Sequence, residues 1–207
     1  MTLTQMIELL RQRLGNRSQL DTQIVQEINF VQAVAEHAPS LPWFLRTITT
    51  FAASTASVSC PTGFLRLATA DECLWVVTEE GKDFALAKDD YGYLRRQDDL
   101  QGSARPEAFA LVGSKFYFFP TPDKEYTFKL DSFTADSTLV LSSAETNLWS
   151  THAPYVLISK AGKALALALR STEVYEQFAL MEKEAERVLV IENVARDQAG
   201  DPVSLRD

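Results

Sequence analysis

Cysteine and histidine are scarce in this chain, with two of each in 207 residues. Cys60 and Cys73 have neither CxxC spacing nor a histidine nearby, so no metal site is expected; two free thiols in a cytoplasmic setting are the reading. The histidines, His37 and His152, fall in no motif. There is no GxSxG elbow, no HExxH, no Walker loop and no glycine-rich dinucleotide turn, so the sequence offers no catalytic constellation and no cofactor. An excess of basic residues is missing too. Twenty Lys and Arg stand against 28 Asp and Glu, a formal net charge of -8, so a general grip on nucleic-acid phosphate is not expected. No apolar run is long enough to span a membrane. The opening "MTLTQMIELLRQRLG" alternates apolar and charged residues where a secretory signal needs an unbroken apolar stretch.

What is present is an ordinary folding composition, 46% hydrophobic and 23% charged, enough for one domain or one domain carrying an inserted module. Leu3, Ile7, Leu10 and Leu14 recur at helical spacing, with Thr2 or Thr4 to cap the start and Gly15 to stop the helix. Asp21 or Ser18 can cap a second helix whose stripe is Ile24, Ile28, Val31, Ala35 and Ala38. From Trp43 the texture changes to short β-branched and aromatic runs divided by Gly, Pro, Asp and Ser, which read as strands. In "FALVGSKFYFF", Gly113-Ser114 reads as a two-residue type II′ hairpin loop, and "PTPD" as the next corner. Tyr126, Phe128 and Leu130 then alternate with polar residues, which predicts a three-stranded meander over 108–130. Helical periodicity returns in "APYVLISKAGKALALALRS" and in a long final helix from about Thr172 to Gln198. That helix has Val174, Phe178, Met181, Ala185, Val188 and Ile191 on one face.

The order of elements predicts an α+β fold: a four-helix bundle built from the N- and C-terminal helical pairs (1–42 plus 146–198), an inserted antiparallel β-sandwich or barrel (43–145) projecting from it, and an extended tail (199–207). Asp89-Asp90 and Asp98-Asp99 read as solvated loop acids rather than an acid–base pair. Arg95-Arg96, beside Tyr91 and Tyr93, either hold a ligand carboxylate or mark a solvated strand edge. The acidic side of the last helix, around "EKEAER", is either a solvated face or, in a ring, a channel lining that repels DNA phosphate. The residues for the channel lining are Glu176, Lys183, Glu184 and Arg187. Glu182 and Glu186 lie one turn apart, a small like-charge cost.

Four segments together resemble the head-to-tail adaptor proteins of tailed double-stranded DNA bacteriophages, including the tail tubular protein A type. They are the opening helical pair, "PEAFALVGSKFYFFPTPDKEYTFKLDSF", "NLWSTHAPYVLISKAGKALA" and "EVYEQFALMEKEAERVLVIENVAR". Pro120, Pro122 and Asp123 match a Pro-x-Pro-Asp corner between aromatic strands, and Trp149 and Pro154 match the opening of the third helix. "LDSF" departs from the pair of tyrosines that relatives carry. The resemblance implies a structural protein without catalysis, assembled in the host cytoplasm into the virion. It would form a homo-oligomeric ring, dodecameric in type, beneath the portal protein at the head-to-tail junction. Such a ring passes DNA through its lumen and offers a platform to the tail nozzle or other tail proteins. It further implies that the corner Pro120, Thr121, Pro122 and Asp123 meets a neighbour or the next tail component. The polar C-terminal stretch with Asp201, Pro202, Val203, Leu205 and Arg206 would dock on the portal. The competing reading is a ligand- or glycan-binding β-module on a helical stalk, recognising its target through Trp75, Tyr91 and Tyr93; a further one is a hydrolase using His152.

Overall fold

The computed structural model describes the backbone of residues 1–69, 72–141 and 145–199, and the side chains of all of these except 97–101 and 197–199. The predicted corner and channel residues fall within it; Asp201, Pro202, Val203, Leu205 and Arg206 lie outside the described residues. The fold is α+β. In chain order come α1 (Leu3–Arg13), α2 (Asp21–Glu36), β1 (Arg46–Ala53), β2 (Ser57–Ser59), β3 (Phe64–Leu67), β4 (Leu74–Val77), β5 (Asp83–Ala85) and β6 (Ala87–Lys88). Then follow α3 (Tyr91–Gln101), β7 (Ala108–Val112), β8 (Lys115–Phe119), β9 (Tyr126–Thr134), α4 (Leu148–His152), α5 (Pro154–Ala168) and α6 (Thr172–Ala199). Two units divide the described chain: residues 1–45 with 135–199, and residues 46–134.

The helical unit draws on both ends of the chain. Thr2 caps α1 in a reciprocal capping box with Gln5, and Leu3, Met6, Ile7 and Leu10 are buried. Asp21, a candidate cap for α2, does something else. The cap position is Leu20, without a side-chain bond, and the Asp21 carboxylate instead receives the Arg11 guanidinium, tying α1 to α2. α5 packs against α1, α2 and α6. Gly162 makes the α5–α6 approach possible, because a Cβ there would stand 2.5 Å from two carbons of the Phe178 ring.

The buried side of α2 is not the apolar stripe alone, for Gln32 and Glu36 are buried on it. Glu36 Oε1 accepts from Gln32 Nε2 at 3.0 Å, from the Asp136 amide at 3.1 Å and from Trp149 Nε1 at 3.1 Å. Asn147 Nδ2 donates to Gln32 Oε1 at 2.8 Å, and Asn29 bonds both backbone groups of Leu139 at 2.9 and 3.0 Å. The chain leaving the β unit is thereby laid along α2. Asp136 Oδ2 then receives the Leu148 amide at 2.5 Å and the Trp149 amide at 3.2 Å, at the start of α4.

The β unit holds two sheets. One has the order β1-β9-β4-β5, with β3 also on β9, all antiparallel; the other is β2-β8-β7-β6, with β6 and β7 parallel. The meander predicted over 108–130 is therefore only half present. β7 and β8 form the hairpin, with Gly113 at φ 61° as the turn requires, but β9 pairs with β1, β3 and β4 in the other sheet. Pro120 cannot extend the β8 ladder, and the corner carries the chain across. Both sheets feed one buried cluster that includes Phe109, Phe116, Phe118, Phe128 and Leu130; Phe118 and Phe128 stack at 4.4 Å between centroids. Asp131, in the divergent "LDSF", is buried and forked by Arg46, with Nη2 at 2.7 Å and Nε at 3.1 Å.

The strand edge expected around Arg95-Arg96 is instead the helix α3. Asp90 caps it by accepting from the Tyr93 amide at 3.0 Å, and Leu94 is buried against β7 and β8. The final helix also departs from expectation. Of its predicted face Phe178 is buried, but Val188 is 52% and Ile191 56% exposed. α6 has 28 residues against 15 in α5, and it turns Glu182 towards the α5 lysines. Lys160 Nζ lies 2.7 Å from Glu186 Oε1, and Lys163 pairs with Glu182. The like-charge pair on α6 is thus neutralised from α5.

Two substitutions test this packing. Glu36→Ala leaves three donors without their acceptor and is expected to lower unfolding stability by about 3 kcal/mol, whereas Glu36→Gln keeps an acceptor and loses about 1 kcal/mol. Urea denaturation followed by tryptophan fluorescence reads both. Gly162→Ala drives a methyl into the Phe178 ring and should cost about 2 kcal/mol despite its better helix propensity, measured as a fall in Tm.

Candidate interaction surfaces

Among the described residues, Asp89 and Asp90 are occupied by structural work. Asp89 Oδ1 accepts the Asp90 amide at 2.7 Å and Asp90 caps α3, so this acid pair organises a helix start. Asp98 and Asp99 lie on α3 rather than in a loop. Cys73 is buried and Cys60 partly so; burial pushes the Cys60 thiol up, away from the reactive thiolate. No group of three or more His, Cys, Asp or Glu suited to a metal occurs among the described residues. No helix among the described residues is long and apolar enough to cross a membrane.

The three aromatics suggested for ligand recognition do not converge. Trp75 stands on β4 between buried Leu74 and Val76, hence on the opposite face of its sheet from the core. Tyr91 packs on Tyr117 and Phe119 of the other sheet, at 4.7 and 6.0 Å, and only Tyr93 is well exposed.

At the corner, Pro120 and Pro122 are buried, Thr121 is half-buried with its carbonyl accepting the Ala104 amide at 2.9 Å, and Asp123 is exposed. Asp123 Oδ1 accepts from the Tyr126 hydroxyl at 2.8 Å, and Lys124 pairs with Glu79 across to the β4–β5 connection. The prolines shape the corner; Asp123, Lys124 and Glu125 are what it presents to solvent.

On α6, Glu176, Lys183, Glu184 and Arg187 are all exposed and share one side of the helix by their spacing. Among them stand exposed Leu180, Val190, Ile191 and Val194. The face is mixed, charged and apolar, which composition alone did not separate from a purely solvated one. Beside it, α5 and α6 frame a groove of about 240 Å³ lined by Val156, Met181, Glu184, Ala185, Val188 and Glu192 among others.

Sequence reasoning missed the cluster around Trp43. The Arg196 guanidinium lies 3.6 Å from the Trp43 ring centroid, and Asn193 Oδ1 accepts the Trp43 amide at 3.0 Å. His152 meets the Trp43 ring edge-on at 4.8 Å and stacks on Phe44 at 5.3 Å. The last turns of α6 are fastened there. Trp43, His152 and Arg196 lie far apart in the sequence, and a pairing over that distance has no local signal. Burial first, then Arg196, hold the His152 imidazole below its ordinary value of 6.5, against the opposing pull of Glu192 and Asp136.

Because the folded value is depressed, the stability that neutral His152 contributes is fully present above pH 6.5 and declines as pH falls through 6.5, where the unfolded chain takes up the proton first. The urea midpoint of the wild type is expected to drop between pH 7.5 and pH 5.5 more than that of His152→Gln. Equal drops would remove His152 from the cause.

No curated protein matches the chain. The model of the SU10 adaptor protein family matches residues 1–206, which is nearly the whole sequence and spans both structural units. This chain belongs to the SU10 adaptor protein family, a family of phage adaptors.

Proposed function

We propose that the protein is a structural head-to-tail adaptor that forms a ring beneath the phage portal, continues the DNA channel and gives tail proteins a surface on which to dock. The observation that carries this reading is the family match along residues 1–206. In this reading the helical unit is a four-helix bundle and the β unit a sandwich inserted in it. The C-terminal stretch with Asp201, Pro202, Val203, Leu205 and Arg206 reaches the portal. Asp123 and Lys124 at the β8–β9 corner meet a neighbour or the next tail component. In this reading the role is of the tail tubular protein A type, with a twelve-membered ring as its stoichiometry. Occupation of Asp89 and Asp90 at the start of α3 supports a structural role.

Electron microscopy of the purified chain mixed with portal rings tests it. A ring of added density on one side of the portal is expected; portal rings that remain bare contradict the proposal. Deleting residues 200–207, just beyond α6, should abolish binding while circular dichroism stays unchanged. Undiminished binding removes the C-terminal stretch from the portal contact.

A further inference from the structure

The outward face of α6 carries a pattern that is its own complement. Leu180, Glu184, Arg187 and Ile191 follow one another at intervals of four, three and four residues, so they form a single stripe. The intervals read the same backwards, and so does the chemistry: apolar, charged, charged, apolar. Laid antiparallel on a second copy of itself, the stripe places Leu180 on the partner copy's Ile191 and Glu184 on its Arg187, and the two-fold axis repeats both contacts.

The same stripe is unsatisfied in one copy. Leu180 and Ile191 are 67% and 56% exposed, and neither Glu184 nor Arg187 enters an ion pair among the described residues. Glu182 and Glu186, on the side towards α5, are both held by lysines. The helix thus sorts its charges: the acids that face α5 are neutralised within the chain, and the outward Glu184 and Arg187 are left as an opposite pair. A parallel arrangement of two such stripes sets like charge on like charge, so charge selects the antiparallel one.

We infer that two copies of this chain associate through an antiparallel α6–α6 seam centred on reciprocal Glu184–Arg187 pairs, flanked by Leu180–Ile191 contacts. The apolar contacts span about 16 Å along the helix at 1.5 Å per residue. This is small for a protein–protein interface, so the dissociation constant is on the order of micromolar. The seam covers Glu184 and Arg187, two of the residues proposed for the channel, so a chain in this dimer is held apart from a ring that turns the face to its lumen. The inference stands on the α6 face alone and does not depend on the portal reading.

Sedimentation equilibrium of the full chain between ~1 and ~200 µM tests it. The wild type is expected to pass from monomer to dimer. Arg187→Glu and Glu184→Arg each put like charges at both crossings and should weaken the dimer at least about tenfold. The double variant Glu184→Arg/Arg187→Glu restores opposite signs and should recover it. Ile191→Asp should also give monomer, with melting curves showing that each variant is folded. A wild type monomeric throughout, a dimer indifferent to the single reversals or to Ile191→Asp, or a double variant that fails to recover overturns the inference. Portal binding is scored separately in the same preparations, so loss of the dimer with intact portal binding contradicts only the seam.

Discussion

Glu36 Oε1 takes donors from Gln32, Asp136 and Trp149, and the helical unit depends on it because the partners come from chain segments separated by the whole β unit. A carboxylate removed from water is costly to bury unless its oxygens are bonded, so the site is stable only when Asp136 and Trp149 are brought to α2. An apolar contact would tolerate sliding; this one fixes a register. Asn147 on Gln32 and Asn29 on Leu139 repeat the logic one and two turns earlier on α2. The returning chain enters α4 in one position, and α5 and α6 follow from there.

Downstream of that fixed start, α5 and α6 are locked by two kinds of contact. Gly162 admits the Phe178 ring, a steric fit that sets distance, while Lys160 and Lys163 reach Glu182 and Glu186, which sets rotation. Once rotation is set, the other side of α6 is determined as well. Leu180, Arg187 and Ile191 face solvent because Phe178 and Glu182 face α5. The surfaces available for assembly therefore follow from packing decisions made on the opposite side of the helix, and the Trp43–Arg196 contact holds the far end of the same helix in place.

Much of this was legible in the sequence where local chemistry decides. Leu3, Ile7 and Leu10 marked a helix face, Gly113 marked a hairpin turn, and Pro120 marked the end of a strand, because periodicity and backbone sterics act within a few residues. What failed depended on partners far along the chain. Phe128 and Leu130 alternate identically whether β9 pairs with β8 or, as found, with β1 and β4. Gln32 and Glu36 carry no local sign of burial, because the groups that use them, at Asp136, Ser137, Asn147 and Trp149, lie about 100 residues further along the chain. The segment of α3 was read as loop acids around a ligand site or strand edge at Arg95-Arg96, while Asp90 as cap and Leu94 one turn on were the better signal. The candidate surfaces were legible as residue types but not as faces: the spacing of Glu184 and Arg187 is visible in the sequence, and their exposure is set by Phe178 and Glu182 facing α5.

The central physical claim is that both chain ends make one cooperative body closed at Glu36. Amide hydrogen exchange at increasing sub-denaturing urea tests it most directly. The account predicts that the slowest amides of α2 and α5 lose protection together, at one opening free energy. Protection lost in α1 and α2 at lower urea than in α5 and α6 would show two separately stable helical pairs and contradict it.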